Sequence, residues 1–146
     1  MIDKFTTHNQ QETVLVGQYV ANLIETGYIV ALTGELGAGK TELIKGICEY
    51  FKVEDLVSSP TFTIINQYQG HFKDRPIVIY HIDLYRIKNP TELIEIGFEE
   101  CLADESSVKL IEWSERAGEK LNEPNIRINI LVDDDNENLR QIIIEY

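Results

Sequence analysis

The sequence is poor in cysteine and in positive charge, and it has no long apolar run. Its 146 residues include two cysteines, Cys48 and Cys101, and neither has the spacing of a metal or redox motif. No apolar stretch reaches membrane-spanning length, and the polar N-terminus lacks a secretory signal. We therefore expect a cytoplasmic protein with free thiols, in which the polar start leads directly into a helix.

Basic residues are too few for a protein that holds nucleic acid alone. The chain has 13 Lys and Arg against 25 Asp and Glu, for a net charge of −12, and no basic cluster. Nucleic-acid binding requires a basic face that neutralises phosphates. If nucleic acid is involved, we expect another chain to hold it, and the acidity would suit a basic partner surface.

A glycine-rich loop is the most informative segment that is present. Residues 34–41 read GELGAGKT, follow an apolar run at 28–32 and precede an amphipathic helical pattern. This is G-x-x-x-x-G-K-[ST] in its strand–loop–helix context. The glycines let backbone amides converge on phosphate oxygens, and the helix adds its positive end. The motif therefore predicts a nucleotide phosphate site.

Within this motif, Lys40 is expected at the β- and γ-phosphates, and the Thr41 hydroxyl is expected on Mg²⁺. The loop residues predicted to bind the nucleotide are Glu35, Leu36, Gly37, Ala38, Gly39, Lys40 and Thr41. There is no Asn-Lys-x-Asp motif for guanine and no Asp-x-x-Gly motif after a strand. These absences favour ATP over GTP.

Hydrophobic periodicity predicts one α/β domain over residues 1–146. Helices are predicted at 9–26, 41–51 and 90–96, with strands at 28–33, 62–68, 77–85, 108–112, 125–132 and 139–146. Residues 69–76 are predicted as a turn, and 113–121 as helical or irregular. Short connections imply two antiparallel hairpins. We expect a P-loop NTPase-like three-layer sandwich whose mixed sheet has central parallel strands and antiparallel additions, including the C-terminal hairpin.

Two acids compete for the second position of the metal site. A P-loop needs a carboxylate at the C-terminal end of a neighbouring buried strand, close to Mg²⁺. Asp83 and Glu112 both follow apolar runs, and periodicity does not choose between them. Glu112 is slightly favoured as the metal ligand, because its strand looks buried and parallel. Asp83 could hold the metal's water shell or orient the attacking water, and either acid could be an ordinary solvated carboxylate.

Three further residues have alternative interpretations. Thr61, which follows Ser59 and Pro60, either senses the γ-phosphate in a switch loop or belongs to a plain turn. Trp113 either packs in the core or shapes the nucleotide pocket. His81 is either a packed strand residue or a contact for a partner.

Four ordered segments resemble the TsaE family, also called YjeE. They are GELGAGKT (34–41), SPTFTIINQY (59–68), YHIDLYR (80–86) and LIEW (110–113), and the similarity covers nearly the whole chain. The resemblance implies a bacterial ATPase needed to make N6-threonylcarbamoyladenosine at adenosine 37 of tRNAs that read ANN codons. It also implies that the protein binds the TsaD–TsaB pair, which performs the transfer, and hydrolyses ATP with Mg²⁺ to support turnover.

The same resemblance implies roles for individual residues. Glu112 matches the family's Mg²⁺-associated acid, and Asp83 matches the acid needed for hydrolysis. Thr61 matches its switch residue, and Thr7 is the best match to a nucleotide-contacting threonine near the N-terminus. From its position after Glu112, and not from the resemblance, we place Trp113 in the nucleotide pocket. The tRNA would be held by the partners, no membrane is involved, and a monomer is favoured for the free protein.

Two other functions fit the P-loop. A small-molecule kinase fits the chain length, although its five arginines are not clustered as in a phosphoryl-clamping lid. A non-hydrolysing, nucleotide-gated binding module is the second alternative, in which ATP would order residues 58–63 and expose a partner surface.

Overall fold

Apolar runs and alternating segments form one sheet in the computed structural model, which describes residues 1–60 and 62–146. Seven strands lie within these residues: β1 (Ile2–Thr7), β2 (Ile29–Thr33), β3 (Ile65–Phe72), β4 (Arg75–Asp83), β5 (Ser107–Glu112), β6 (Ile126–Val132) and β7 (Arg140–Glu145). The α-helices in the same residues are α1 (Gln10–Ala21), α2 (Lys40–Tyr50), α3 (Glu92–Glu95) and α4 (Phe98–Ala103). A 3₁₀ helix covers Ser114–Lys120.

The sheet is mixed, in the order β1-β7-β6-β2-β5-β4-β3. The four central strands β6, β2, β5 and β4 are parallel, and both outer additions are antiparallel. Every residue of β5 is buried, as expected for a parallel strand covered on both faces. The predicted mixed sheet and C-terminal hairpin are confirmed, and the carboxyl ends of β2, β4 and β5 meet at one edge.

Helices cover both faces of the sheet. On one face, α1 and α2 pack on an apolar cluster that includes Val20, Leu43 and Leu110. On the other face, α3, α4 and the 3₁₀ helix pack around a second cluster that includes Phe98 and Ile111. Leu110 and Ile111 belong to different clusters because successive strand side chains point to opposite faces. The chain therefore forms the predicted three layers.

The first predicted helix is correctly placed but too long. Asn9 caps α1, and its side-chain oxygen accepts from the backbone N–H of Glu12 at 2.8 Å. The helix ends at Ala21 rather than at 26, so Gly27 does not terminate it. Instead, Gly27 lies in a turn with φ of 90° and donates its N–H to the carbonyl of Ser107. Its conformation and its hydrogen bond belong to the start of β2, not to the end of a helix.

Three local predictions were wrong. The chain begins with strand β1 rather than a helix, because β1 pairs with β7 from the far end of the chain. The predicted turn at 69–76 is confined to Lys73 and Asp74, whose φ values of 51° and 62° suit a tight hairpin turn. The short helix α4 was missed, because no element was assigned between Gly97 and the strand predicted at 108–112.

The cysteine prediction agrees with the structure. Cys48 and Cys101 are free thiols, and Cys48 is buried on α2. Burial raises the pKa of the Cys48 thiol to about 12. Among residues 1–60 and 62–146, the helices are all too short, or not apolar enough, to cross a lipid bilayer.

Candidate functional site

The glycine-rich loop connects β2 to α2, as its motif predicts. Gly34, Gly37 and Gly39 all have positive φ values, of 154°, 80° and 111°. Residues that carry a Cβ atom rarely adopt such values. Gly39 is the N-cap of α2, so the unpaired N–H groups of the first helical turn face the loop. A cavity of about 560 Å³ opens over this helix terminus. Such a terminus favours anions.

Lys40 is folded back onto its own loop. Its ammonium donates to the carbonyl oxygens of Gly34 at 2.6 Å and Glu35 at 2.8 Å, and it lies 4.4 Å from the ring centroid of Trp113. Desolvation lowers the pKa of Lys40, and the negative charge of Glu112 opposes this change. An anionic phosphate oxygen is a stronger acceptor for this ammonium than a neutral carbonyl is.

The two candidate acids end neighbouring strands directly opposite each other. Asp83 of β4 pairs with Glu112 of β5 in the sheet register. The Thr41 hydroxyl lies 3.1 Å from both carboxylate oxygens of Glu112. Asp83 instead accepts hydrogen bonds from the Ser59 hydroxyl and from the backbone N–H of Tyr85, the latter at 2.9 Å. Glu112 is therefore adjacent to the Thr41 hydroxyl, and Asp83 is tied to the preceding loop.

The oxygens of Thr41 and Glu112 fit Mg²⁺ chemically. Hydroxyl and carboxylate oxygens are the hard ligands that this ion takes, usually with phosphates and water in its remaining positions. Within 1–60 and 62–146, no group of three His, Cys, Asp or Glu side chains is arranged to hold a metal by itself.

Most of the predicted site residues come together around the cavity. Its lining includes Leu36, Gly37, Gly39, Lys40, Thr41, Asp83, Glu112 and Trp113. Glu35 and Ala38 do not line it, although the Glu35 carbonyl accepts from Lys40. Thr7 is buried behind the cavity, where its hydroxyl lies 3.0 Å from that of Thr13, a lining residue. Thr61 lies outside the described residues, so its switch role stays a prediction.

The sequence left open whether Trp113 packs in the core or shapes the pocket, and in the structure it does both. It lines the cavity and also packs against the second apolar cluster. Its φ of 56° is in the left-handed region, and its ring centroid lies 5.0 Å from that of Tyr85. The ring therefore forms a wall of the cavity that is anchored in the core.

His81 is a packed strand residue and is fully buried. Its Nε2 lies 2.6 Å from Oε2 of Glu112, and its Nδ1 lies 3.0 Å from the hydroxyl of Tyr68. The sequence left open a contact between His81 and a partner, but this burial removes the side chain from the surface. No sequence signal linked it to Glu112.

The N-terminus of α1 and the C-terminal hairpin contribute residues that the sequence did not indicate. Thr13 and Asn138 line the cavity, and so does Arg140 of β7. The Arg140 guanidinium donates from Nε to the carbonyl of Ala38 at 2.9 Å and from Nη2 to that of Gly37 at 3.4 Å. In the sequence, Arg140 is only one of five unclustered arginines, so its contact with the loop could not be predicted.

Comparison with known proteins identifies the family. The family model described as "Threonylcarbamoyl adenosine biosynthesis protein TsaE" matches residues 7–142. The chain belongs to the TsaE family. The predicted resemblance to TsaE is thereby confirmed, over more of the chain than the four motifs span.

Individual TsaE proteins match at similar length. The tRNA threonylcarbamoyladenosine biosynthesis protein TsaE of Rickettsia felis is 40% identical over 137 residues, which are 93% of this chain and 77% of that protein. The Bacillus subtilis protein of the same name is 34% identical over 139 residues, or 95% and 82% of the two chains. The crystal structure of Bacillus subtilis YdiB superimposes with a TM-score of 0.74 at 29% identity, covering 99% of this chain and 84% of that one.

Proposed function

We propose that this TsaE-family chain is a Mg²⁺-dependent ATPase that supports threonylcarbamoylation of adenosine 37 in tRNAs reading ANN codons. It acts with the TsaD–TsaB pair and does not perform the transfer itself. The observation that carries the proposal is the convergence of Lys40, Thr41, Asp83 and Glu112 on one cavity at the start of α2. The names of the relatives supply the pathway, and the geometry of the cavity supports the ATPase chemistry.

In this proposal each residue has a separate task. Lys40 leaves the carbonyls of Gly34 and Glu35 and binds the β- and γ-phosphates. Thr41 and Glu112 hold Mg²⁺, which when bound offsets the phosphate charge. Asp83 orients the attacking water from the opposing strand end. The backbone amides of the loop hold the triphosphate.

The proposed partners come from the resemblance to the family, and the charge of the chain supports them. A net charge of −12 suits a basic surface on the TsaD–TsaB pair and leaves tRNA contact to that pair. We take the free protein to be a monomer and the cytoplasm to be its location.

ATP turnover tests the proposal, measured for the chain alone and then with the TsaD–TsaB pair. We expect weak turnover alone and a change in rate when the pair is added. Lys40→Ala should weaken nucleotide binding roughly 100-fold and abolish turnover, because it removes the charge at the phosphates. Calorimetry with a non-hydrolysed ATP analogue measures the binding.

Asp83→Ala should bind the analogue normally and lose roughly 100-fold or more in turnover, because the attacking water is no longer oriented. Asp134→Ala, an exposed carboxylate in the β6–β7 loop, is the matched control and should behave as the native chain does. A pair that neither binds the chain nor changes its turnover would contradict the proposal.

A nucleotide-gated binding module is the second candidate, and one contact favours it. The Ser59 hydroxyl donates to Asp83, so the loop before residue 61 is tied to the strand end that borders the cavity. A nucleotide that displaced this contact would move the loop. If Asp83→Ala supports tRNA modification as well as the native chain does, gating without hydrolysis is the better explanation.

A further inference from the structure

A line of buried polar side chains crosses the sheet from β3 to β5. It starts at Tyr68, passes through His81 and ends at Glu112, which are respectively 4%, 0% and 3% exposed. The joining distances are 3.0 Å from the Tyr68 hydroxyl to Nδ1 of His81 and 2.6 Å from Nε2 of His81 to Oε2 of Glu112. A buried polar network is costly unless every member makes its hydrogen bonds. The orientations of these three side chains are therefore tightly constrained.

The proton on each group follows from what the groups can donate. An ionised carboxylate only accepts, so Nε2 of His81 carries the proton that points to Glu112. In the tautomer with its proton on Nε2, Nδ1 of the imidazole accepts from the hydroxyl of Tyr68. Burial raises the pKa of Tyr68, which keeps this hydroxyl protonated. One tautomer of His81 is thereby selected.

The Tyr68 hydroxyl also lies 3.3 Å from the carbonyl of Ser58, which competes for its single proton. That carbonyl has a second donor, because Nδ2 of Asn66 lies 3.3 Å away. Asn66 can donate to the Ser58 carbonyl while the Tyr68 hydroxyl donates to Nδ1 of His81. The line therefore begins beside the loop that precedes residue 61.

At its other end, the line determines which carboxylate oxygen of Glu112 accepts the hydrogen bond from His81. His81 donates to Oε2, so Oε1 is the oxygen without a donor from His81, and the hydroxyl of Thr41 lies 3.1 Å from both oxygens. A buried carboxylate without such a donor carries a desolvation cost and has no fixed orientation. Donors behind a ligand oxygen commonly set both its orientation and its metal affinity.

We propose that Tyr68 and His81 are positioning residues that hold Glu112 so that Oε1 and the Thr41 hydroxyl can bind Mg²⁺ together. This inference rests on the proposed ATPase function and names the residues behind its metal ligand. Tyr68 acts on His81, and His81 acts on Glu112, so neither residue needs to touch nucleotide or metal.

The test compares metal affinity with nucleotide affinity. Mn²⁺ binding to the full chain with a non-hydrolysed ATP analogue is measured by electron paramagnetic resonance, and analogue binding in EDTA by calorimetry. His81→Leu removes the donor to Glu112 and should weaken Mn²⁺ binding roughly 10- to 100-fold. Tyr68→Phe should weaken Mn²⁺ binding roughly 10-fold, because no hydroxyl then selects the tautomer of His81 that donates to Glu112. Analogue binding in EDTA should stay native in both variants.

Two further variants separate positioning from general packing. His81→Gln places an amide N–H near the position of Nε2 and should recover most of the Mn²⁺ affinity. Tyr80→Phe removes a hydroxyl from the opposite face of β4 and should leave Mn²⁺ affinity unchanged. Thermal unfolding identifies a variant that does not fold, and if His81→Leu is one, the isosteric Tyr68→Phe decides the question.

Native Mn²⁺ affinity in folded Tyr68→Phe and His81→Leu would overturn the inference while leaving the ATPase proposal intact. Equal losses in His81→Gln and His81→Leu would overturn the donor role of His81. If the unsubstituted chain binds neither the analogue nor Mn²⁺, the proposed function fails, and this inference fails with it.

Discussion

Two buried lysines show how the same residue type serves the fold at one place and the site at another. Lys109 is fully buried near the start of β5, and its ammonium donates to the carbonyls of Gly27, Asp104 and Ser107 at 3.2, 2.6 and 3.3 Å. Lys40 makes similar carbonyl bonds beside the cavity. Desolvation lowers the pKa of both lysines. The two lysines differ in their surroundings, since only Lys40 lines the cavity.

Replacement of Lys109 by Met should destabilise the fold without changing the site. The variant removes a charged donor from three carbonyls, and we expect the free energy of unfolding to fall by about 2 kcal/mol. Affinity for an ATP analogue should be unchanged, since Lys109 lies toward the end of β5 away from Glu112. Urea unfolding and calorimetry measure the two quantities. Lys88→Met, at an exposed position, is the control, and native stability in Lys109→Met would contradict this account.

At the scale of elements, the site depends on a close crossing of α1 and α2. A Cβ on Gly46 would lie 1.9 Å from the carbonyl oxygen of Val14, and one on Gly17 would lie 2.1 Å from that of Leu43. Neither helix can carry a side chain at the crossing without moving. Since α2 begins at Lys40, a shift of this helix also moves the phosphate loop.

Gly46→Ala tests this crossing. In an unconstrained helix this change stabilises by about 1 kcal/mol, because alanine is the better helix former. Here we expect a loss of about 3 kcal/mol in the free energy of unfolding, since the new methyl group overlaps the backbone of α1. Affinity for an ATP analogue should fall as well.

Lys45→Ala, one residue earlier on the same helix, is the control for Gly46→Ala and should keep native stability and affinity. A stability gain in Gly46→Ala would show that the helices separate freely.

At the scale of the whole molecule, charge limits what the protein can bind alone. With 25 acidic and 13 basic residues, the chain repels a phosphate backbone over most of its surface. At the cavity, a helix N-terminus and three basic residues, Lys40, Arg86 and Arg140, offset the three acids of the lining, Glu42, Asp83 and Glu112. We therefore expect a single nucleotide, rather than a polynucleotide, to bind the isolated chain.

Transfer RNA should not bind the isolated chain at physiological salt. We expect no retained complex in a filter-binding assay at about 10 μM protein. This concentration lies within the range of dissociation constants for non-specific binding by proteins with a basic surface. Addition of the TsaD–TsaB pair should retain the tRNA. Micromolar retention by the chain alone, falling steeply as salt rises, would show a basic surface that the charge balance does not predict.

Features with a local pattern were predictable from the sequence. The phosphate loop depends on glycines and a lysine within eight consecutive positions, 34–41, and its strand and helix follow from periodicity on either side. The same holds for the C-terminal hairpin and for the acids at 83 and 112, since each acid directly follows an apolar run. These predictions needed no knowledge of strand order.

Features that depend on distant pairing were not predictable. Strand β1 forms only because β7 lies beside it, and Arg140 reaches the loop only because the C-terminal hairpin packs next to β2. The link between His81 and Glu112 requires β4 to neighbour β5. None of these contacts leaves a periodic or spaced signal in the chain.

The amino-acid sequence by itself determined the family, the phosphate loop and the two candidate acids, because these depend on residue types at short, fixed spacings. The tertiary structure alone decided that Glu112 sits beside Thr41, that Asp83 is tied to Ser59, and that Tyr68 and His81 lie behind Glu112. The physical reason is strand order: neighbours in the sheet are set by packing and hydrogen bonding over the whole chain, and local patterns do not encode them.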